Sequence, residues 1–334
     1  MIDLTARSLR RLVIVVGLSL IVFVIIHQVN YGDKFALTSH LSELIEVIKA
    51  CPQTTSKPLD DSRSNVDSGI PNLIHQIWKT ADVHTYSTEA SHESWKAMFE
   101  PMNYTVKLWT EDDILSLVKT AYPWLLSTYE GYPQNIQRAD VARLMVVHAK
   151  GGIYADLDVH PKSVEEMLCL QHSDLEGIFA PTAGTLGLSN HFFMAQRGSA
   201  FLLWTLHEAK RRGGPRSKRI ILPYLRVFWS TGPMMVTSAF RKYAWMHSTM
   251  DHDIGLLDES YGGSLFWHAA GRSWHEWDGR LLNIIGDHMA VENPWVVFSF
   301  LVTFLGFAYI MARRCYKVKS RQYKNTSLSG KSGL

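Results

Sequence analysis

Two uncharged apolar runs, Leu12 to Ile26 and Trp295 to Ala312, bracket a chain whose middle switches between strand and helix periodicity. Each run approaches the ~20 residues of a membrane-spanning helix. His27-Gln28-Val29-Asn30-Tyr31 follows the first run and offers no small-x-small cleavage site. The pattern therefore predicts an uncleaved anchor over residues 12–29 rather than a removed signal peptide. The second run follows Pro294 and carries Trp295 and Tyr309 at interfacial positions. It predicts a span over residues 294–312, with a buried core helix as the alternative.

Between the runs, Leu37, Leu41, Leu44, Ile45 and Ile48 recur at helical spacing and predict an amphipathic stem helix. Such a helix would pack on the domain that follows, lie on the membrane, or pair with a second copy. Cys51 to Gly69 is rich in Ser, Asp, Thr and Pro and reads as a linker. From Ile70 the periods alternate. Leu73 to Trp78 predicts a strand, Thr88 to Phe99 a helix, and Tyr104 to Trp109 a second strand. Thr110 and Asp113 form a capping box for a helix over Glu111 to Ala121, which Pro123 ends or restarts. A helix from Gln134 to Lys150 stops at Gly151-Gly152, and Ile153 to Val159 is the next strand. Alternating strands and helices predict an α/β domain with a mostly parallel sheet. No internal repeat is present.

Charge refines this layout. A formal net charge of +3 is too slight to argue for nucleic acid, but basic residues gather at Arg7, Arg10 and Arg11 and again at Arg313, Arg314, Lys317, Lys319 and Arg321. The positive-inside rule places both clusters in the cytosol and the intervening chain in a lumen. The resulting division is a cytosolic segment 1–11, an anchor 12–29, a stem and linker 30–69, a lumenal domain 70–290, a span 294–312 and a basic cytosolic tail 313–334. Short spans suit the thin membranes of the endoplasmic reticulum or Golgi apparatus. Cys51 and Cys169 share the lumen, and the sequence leaves open whether they pair; Cys315 falls at the cytosolic membrane face. Asn103-Tyr104-Thr105 is an N-glycosylation acceptor in the lumenal part, while Asn325-Thr326-Ser327 lies in the tail.

Asp156-Leu157-Asp158 carries the sharpest chemistry. Two carboxylates one residue apart at the end of a strand can share an oxygen site for Mn²⁺ or Mg²⁺; the bland alternative is a pair of turn-capping carboxylates. Asp251-His252-Asp253 repeats the spacing without a strand before it and reads as a solvated turn. Ligands of open α/β sheets collect beyond the carboxyl ends of the strands, where Asp156 and Asp158 stand. A nucleotide-sugar donor would explain the need for a metal there, because the departing diphosphate gathers charge that must be neutralised. Asp140 and Arg143 lie three apart on one helix face. They read either as a surface ion pair contributing ~0.2–0.5 kcal/mol or as a carboxylate and guanidinium that grip a sugar and a phosphate. Arg138 has a weaker claim to the same role. Thr231-Gly232-Pro233 opens a helix whose free N–H groups suit a phosphate or hydroxyl. His268 and Ser273-Trp274-His275-Glu276-Trp277-Asp278 offer imidazoles, His275 before His268, that would complete a metal shell, contact the diphosphate or serve the structure alone. Trp78 would stack on a nucleobase or belong to the core. Arg211 to Arg219 reads as a solvated basic loop or a contact for anionic lipid headgroups.

Ile70 to Thr80, Arg138-Ala139-Asp140 and Gly151-Gly152-Ile153-Tyr154-Ala155-Asp156-Leu157-Asp158-Val159 together resemble the family 32 glycosyltransferases. Asn190 with Phe193-Met194-Ala195, the Thr231-Gly232-Pro233 turn and the Ser273-Trp274-His275 loop follow in that family's order, so the resemblance covers about residues 70–285. It implies a GT-A type nucleotide-sugar fold, metal dependence and retention of anomeric configuration. The donor it implies is GDP-mannose, with contacts from His75, Trp78, Arg138, Asp140, Arg143, Tyr154, Asn190, Thr231 and Gly232. Related bacterial toxins use an aspartate and an arginine matching Asp140 and Arg143 on the donor sugar. Metal ligands would be Asp156 and Asp158, with His275 or His268 third. The family contains enzymes that extend N-glycans and enzymes that mannosylate inositol phosphorylceramide; a second span favours the lipid acceptor. An N-glycan or a hydrophobic secondary metabolite is the alternative acceptor. A non-catalytic membrane subunit of a glycosyltransferase complex is the alternative of another class. A regulatory membrane subunit, or a second copy joined through the stem, would be the protein partner.

Overall fold

The computed structural model describes residues 45–51, 69–87, 89–182, 187–214, 217–247 and 253–269, with the single positions 17, 19 and 279. Among these the strands are β1 (Glu46–Ile48), β2 (Leu73–Ile77), β3 (Thr105–Trp109), β4 (Gly152–Ala155), β5 (Val159–Pro161), β6 (Gly177–Pro181), β7 (Leu188–Ala195), β8 (Ile254–Leu257) and β9 (Phe266–His268). The helices are α1 (His92–Phe99), α2 (Glu111–Ala121), α3 (Pro123–Glu130), α4 (Asn135–Lys150), α5 (Val164–Gln171), α6 (Ala200–Arg212), α7 (Pro223–Ser230), α8 (Pro233–Met246) and α9 (Glu259–Leu265). Seven strands form one sheet in the order β1-β8-β6-β7-β4-β2-β3, and β5 pairs with β9 in a separate ribbon. Within the large sheet only β7 runs against its neighbours, β4 and β6; the other pairs are parallel. The expected mostly parallel α/β sheet is present.

Successive side chains of a strand point to opposite faces, and the core divides accordingly. Tyr154, Phe193 and Ala195 join the apolar cluster on one side, whereas Ile153, Ala155, Phe192 and Met194 join the cluster on the other. α4 lies against the first side and is buried almost all round from Asp140 to Val147. Its weak amphipathicity follows from that central position. The capping box of α2 forms as expected: Thr110 Oγ1 accepts from the Asp113 N–H at 3.2 Å, and Asp113 Oδ2 accepts from the Thr110 N–H at 3.0 Å.

Four expectations are corrected. The C-terminal end of the expected stem helix is strand: Glu46–Ile48 pairs in parallel with β8, and Ile45 and Ile48 are buried. A free sheet edge offers the β-branched Val47 and Ile48 backbone partners and burial that no isolated helix provides. The helix expected from Thr88 begins at His92. The strand expected over Ile153 to Val159 divides into β4 and β5, because pairing with β7 ends at Ala155 opposite Phe192 and the chain crosses to the ribbon. Finally, the second residue of the expected solvated basic loop is a buried arginine. Arg212 is 1% exposed and donates to Glu208 at 2.7 Å, to the Trp229 carbonyl at 2.8 Å and to Ser238 at 2.5 Å. Burial alone would push the Glu208 carboxyl up, but Arg211, Lys242 and Arg212 outweigh it and hold it well below the usual range.

The apolar runs at 12–26 and 295–312 fall outside the described residues. Among the described residues no helix is long and apolar enough to cross a membrane. Cys51, just past β1, is disulfide-bonded to Cys169 of α5 across a sequence separation of 118 residues. Replacing both by serine should lower stability by about 2–4 kcal/mol, read as a lower urea midpoint. Peptide mapping without reductant should recover the linked pair; free thiols at both positions would contradict it.

Candidate active site

The site is built by a reversal of direction. Gly151 and Gly152 end α4 with φ of 70° and 103°, and a Cβ on Gly152 would sit 2.4 Å from the Leu73 carbonyl oxygen. Only glycine fits there. The helix from Arg143 to the turn spans roughly 10 Å at ~1.5 Å per residue, and the strand from the turn to Asp156 roughly 13 Å at ~3.3 Å. Arg143 and Asp156 therefore return to the same level. Arg143 Nη1 lies 2.9 Å from both oxygens of Asp156 and donates to the Asn190 carbonyl at 2.9 Å. Its Nη2 is 3.3 Å from Asp140 Oδ1, and the guanidinium lies 4.9 Å from the centre of the Tyr154 ring.

Asp140 accepts from Asn190 Nδ2 at 3.0 Å and from Thr231 Oγ1 at 2.9 Å. Tyr154 donates its hydroxyl to Asp156 Oδ1 at 2.7 Å. The Asp140 and Arg143 side chains are 5% and 4% exposed, so the surface-ion-pair reading fails. Burial pushes the Asp140 carboxyl up to about 6 against the lowering effects of Arg143, Thr231 and Asn190. Burial raises Asp156 too, against Arg143, with the charge of Asp158 adding to the rise. Burial opposes the charge of Arg143, but Asp156, Tyr154 and Asp140 outweigh it and keep the guanidinium a cation.

Each residue of the Asp-x-Asp turn is fastened to a different segment through its backbone. The Asp156 N–H donates to His191 O at 2.9 Å, Leu157 O accepts from the Ser91 N–H at 2.8 Å, and Asp158 O accepts from the Ala269 N–H at 2.8 Å. His268 Nε2 stands 3.4 Å from Asp158 Oδ2, and the ring stacks on His191 at 4.4 Å and 9°. Burial pushes His191 down to about 3, so it is neutral beneath His268. Asp158 raises His268 against the effect of its burial.

A cavity of about 1080 Å³ opens over this cluster, and Trp78, Arg138, Asp140, Arg143, Tyr154, Asp156, Asp158, Asn190, Gly232 and His268 all reach its wall. Trp78 is half-buried, donates Nε1 to Thr85 Oγ1 at 2.7 Å, and meets Tyr86 edge-on. Arg138 donates to the Tyr132 carbonyl at 3.1 Å and to Asn135 Oδ1 at 2.5 Å. Thr231 is buried behind the wall and acts through Asp140. His275, Trp274 and Asp251-His252 lie outside the described residues, while Asp253 takes the Glu176 and Gly177 N–H groups on its carbonyl.

His75, like Thr231, does not line the cavity. Trp109 Nε1 donates to its Nδ1 at 3.1 Å, so Nε2 carries the proton and donates to the Gly151 carbonyl at 2.8 Å. Its work is to hold the glycine turn rather than a donor. Sequence reasoning missed His191 and Trp267. His191 adjoins Asn190, but only β7's position beside β4 shows that it supports His268.

A divalent metal fits this donor set. Asp140 and Asp156 share one guanidinium and Asp158 stands beside Asp156, leaving anionic charge in excess around the Asp-x-Asp turn. Ionised carboxylates that already accept one hydrogen bond per oxygen retain lone pairs. Among the described residues no three His, Cys, Asp or Glu side chains form a metal-holding group. A small hard cation does not need one, since it commonly takes one or two carboxylates and completes its shell with water and phosphate oxygens.

Arg143→Gln should cost about 3–5 kcal/mol in urea unfolding at pH 7, because it strands the buried Asp140 carboxylate and the half-buried Asp156. Adding Asp156→Asn should recover part of that loss. Burial pushes His75 down to about 4, so the folded state binds its proton more weakly than the unfolded state. Its contribution to stability should fall as pH drops below about 6.5 and level off near 4, a change on the order of 3 kcal/mol. His75→Gln should flatten that part of the stability–pH curve.

Residues 79–173 match the family described as a glycosyltransferase sugar-binding region containing a DXD motif. Inositol phosphoceramide mannosyltransferase 3 of Schizosaccharomyces pombe is 30% identical over 272 residues, which cover 77% of this chain and 69% of that protein. The mannosyl phosphorylinositol ceramide synthase SUR1 of Saccharomyces cerevisiae is 27% identical over 266 residues, covering 78% and 66%. The initiation-specific alpha-1,6-mannosyltransferase of Saccharomyces cerevisiae is 30% identical over 95 residues, covering 27% and 20%. The chain is a glycosyltransferase and belongs to family 32, the DXD-containing family of the inositol phosphoceramide mannosyltransferases.

Proposed function

We propose that the protein transfers mannose from GDP-mannose to inositol phosphoceramide, with retention of configuration and a divalent metal, on the lumenal side of a Golgi or endoplasmic reticulum membrane. The observation that carries this reading is the cluster of buried Asp140 and Arg143 with the half-buried Asp156 beneath a cavity of about 1080 Å³. A cavity of that size suits a nucleotide sugar together with the head of an acceptor. Coverage by the relatives supports the lipid acceptor. The inositol phosphoceramide mannosyltransferase aligns over 77% of this chain, whereas the initiation-specific alpha-1,6-mannosyltransferase aligns over 27%.

In this reading the domain is of the GT-A type. Asp140 accepts hydrogen bonds from donor-sugar hydroxyls, with Thr231 and Asn190 fixing its carboxylate. Arg143 holds Asp140 and Asp156 in register, and Trp78 at the end of β2 faces the guanine. Asp156 and Asp158 would hold the Mn²⁺ or Mg²⁺, with His268 beside Asp158. That metal would neutralise the charge gathering on the departing diphosphate. The acceptor oxygen bonds to the anomeric carbon on the face from which the diphosphate leaves. The bond from that carbon to the β-phosphate oxygen breaks, and the hydroxyl proton passes to the departing phosphate.

The apolar runs at 12–26 and 295–312 and their basic flanks support two membrane anchors. The Cys51–Cys169 disulfide supports an oxidising compartment. Asn103 is exposed and suited to carry a glycan there.

Mass spectrometry of lipids from cells lacking the gene should show inositol phosphoceramide accumulating and its mannosylated product lost. Wild-type protein should restore the product, while Asp158→Ala at equal abundance should not. Unchanged sphingolipids with altered N-glycans would replace the acceptor, and full rescue by Asp158→Ala would favour a non-catalytic subunit.

A further inference from the structure

Trp267 is an exposed aromatic of the cavity wall held by a ring stacked beneath it. It belongs to β9, whose register places it opposite His160 of β5. The indole stacks on the His160 ring at 4.3 Å and 12°, lines the cavity, and remains 46% exposed. His160 is 7% exposed, and its Nε2 has no hydrogen-bond partner among the described residues. An imidazole buried with its Nε2 unpaired offers its flat face as a shim that fixes the plane of the indole above it.

A large aromatic held rigid and left open to water in a concave site implies a ligand that covers it. The negative face of an indole complements the weakly positive C–H groups on one face of a saturated polyol ring. Position separates this aromatic from the donor. Trp78 hangs from β2, while Trp267 is on the ribbon next to His268, which reaches Asp158. Lys162, one residue past β5, lies on the same side of the ribbon as His160 by strand alternation and also lines the cavity. Its N–H bonds to Leu265 O at 2.8 Å, and its ammonium group donates to Gly263 O at 2.7 Å.

We infer that Trp267, seated on His160, is the platform on which the acceptor's polyol ring lies, with Lys162 placed to meet a phosphate attached to that ring. This rests on the proposed function for the ring's identity. An inositol phosphate headgroup supplies both features, whereas a glycan acceptor supplies the ring alone. The test uses full-length protein in mixed micelles with inositol phosphoceramide and GDP-mannose. Trp267→Ala should raise the acceptor KM about tenfold while the donor KM moves less than about twofold. Trp267→Phe should recover most of the loss and Trp267→Leu should not, because leucine keeps bulk without the aromatic face. Lys162→Met should raise the acceptor KM as well. A rise in donor KM with the acceptor KM unchanged would make Trp267 a nucleobase stack and overturn the inference, as would wild-type kinetics in Trp267→Ala. Should wild-type protein fail to use inositol phosphoceramide, the proposed acceptor falls, and saturation-transfer NMR then tests the platform with myo-inositol 1-phosphate and methyl α-mannoside. Ring protons saturated by wild type but not by Trp267→Ala would support it, the phosphate arm separating headgroup from glycan. Equal saturation would overturn it.

Discussion

Arg143 carries its charge to a depth where water cannot solvate it, and the surrounding structure is arranged to compensate. Burying an ion costs several kcal/mol even after relaxation. The compensation comes from Asp156 beyond β4, Asp140 one helical turn back, the Asn190 carbonyl of β7 and the face of Tyr154. Asp140 in turn draws in Thr231 from the junction of α7 and α8. One guanidinium thus ties together the central helix, two neighbouring strands and a distant turn. It cannot balance all the carboxylates it meets, and the remaining anionic charge defines what the cavity will accept.

The part of the site that was legible in the sequence is the part built from short spacings. Asp140 and Arg143 are one helical turn apart, Gly151-Gly152 marks the reversal, and Asp156 follows a four-residue strand. Local geometry alone brings those groups together. Burial was not legible, because the same three-residue spacing describes a solvated ion pair and a buried one; β7 and the α7–α8 junction make the difference. Arg212 shows the same limit: within a run of basic residues nothing distinguishes it, and only Glu208, Trp229 and Ser238 converging from other elements take it into the core.

The remaining differences have one physical source, long-range pairing. Ile45 and Ile48 satisfy a helical period, yet the open edge of β8 captures the segment as a strand. His75 sits in the motif that carries the family resemblance, which suggested donor contact. Its ring instead bridges Trp109 and Gly151 with both nitrogens used, so it serves the site by fixing the turn on which Asp156 depends.

The break between β4 and β5 gives the Asp-x-Asp triplet its mechanical meaning. Asp156 is pinned to β7 of the large sheet, Leu157 to Ser91 ahead of α1, and Asp158 to Ala269 just past β9 of the ribbon. An unbroken strand would have sent both carboxylates to the same face of one sheet, rigidly and at full strand spacing. The turn instead gives the first carboxylate to the sheet that carries the Arg143 cluster and the second to the ribbon that carries His268 and Trp267. A cation held by both aspartates would therefore link the sheet that carries the Arg143 cluster to the ribbon that carries His268 and Trp267. A two-residue signature, weak as a sequence pattern, gains its specificity from joining two separately supported surfaces.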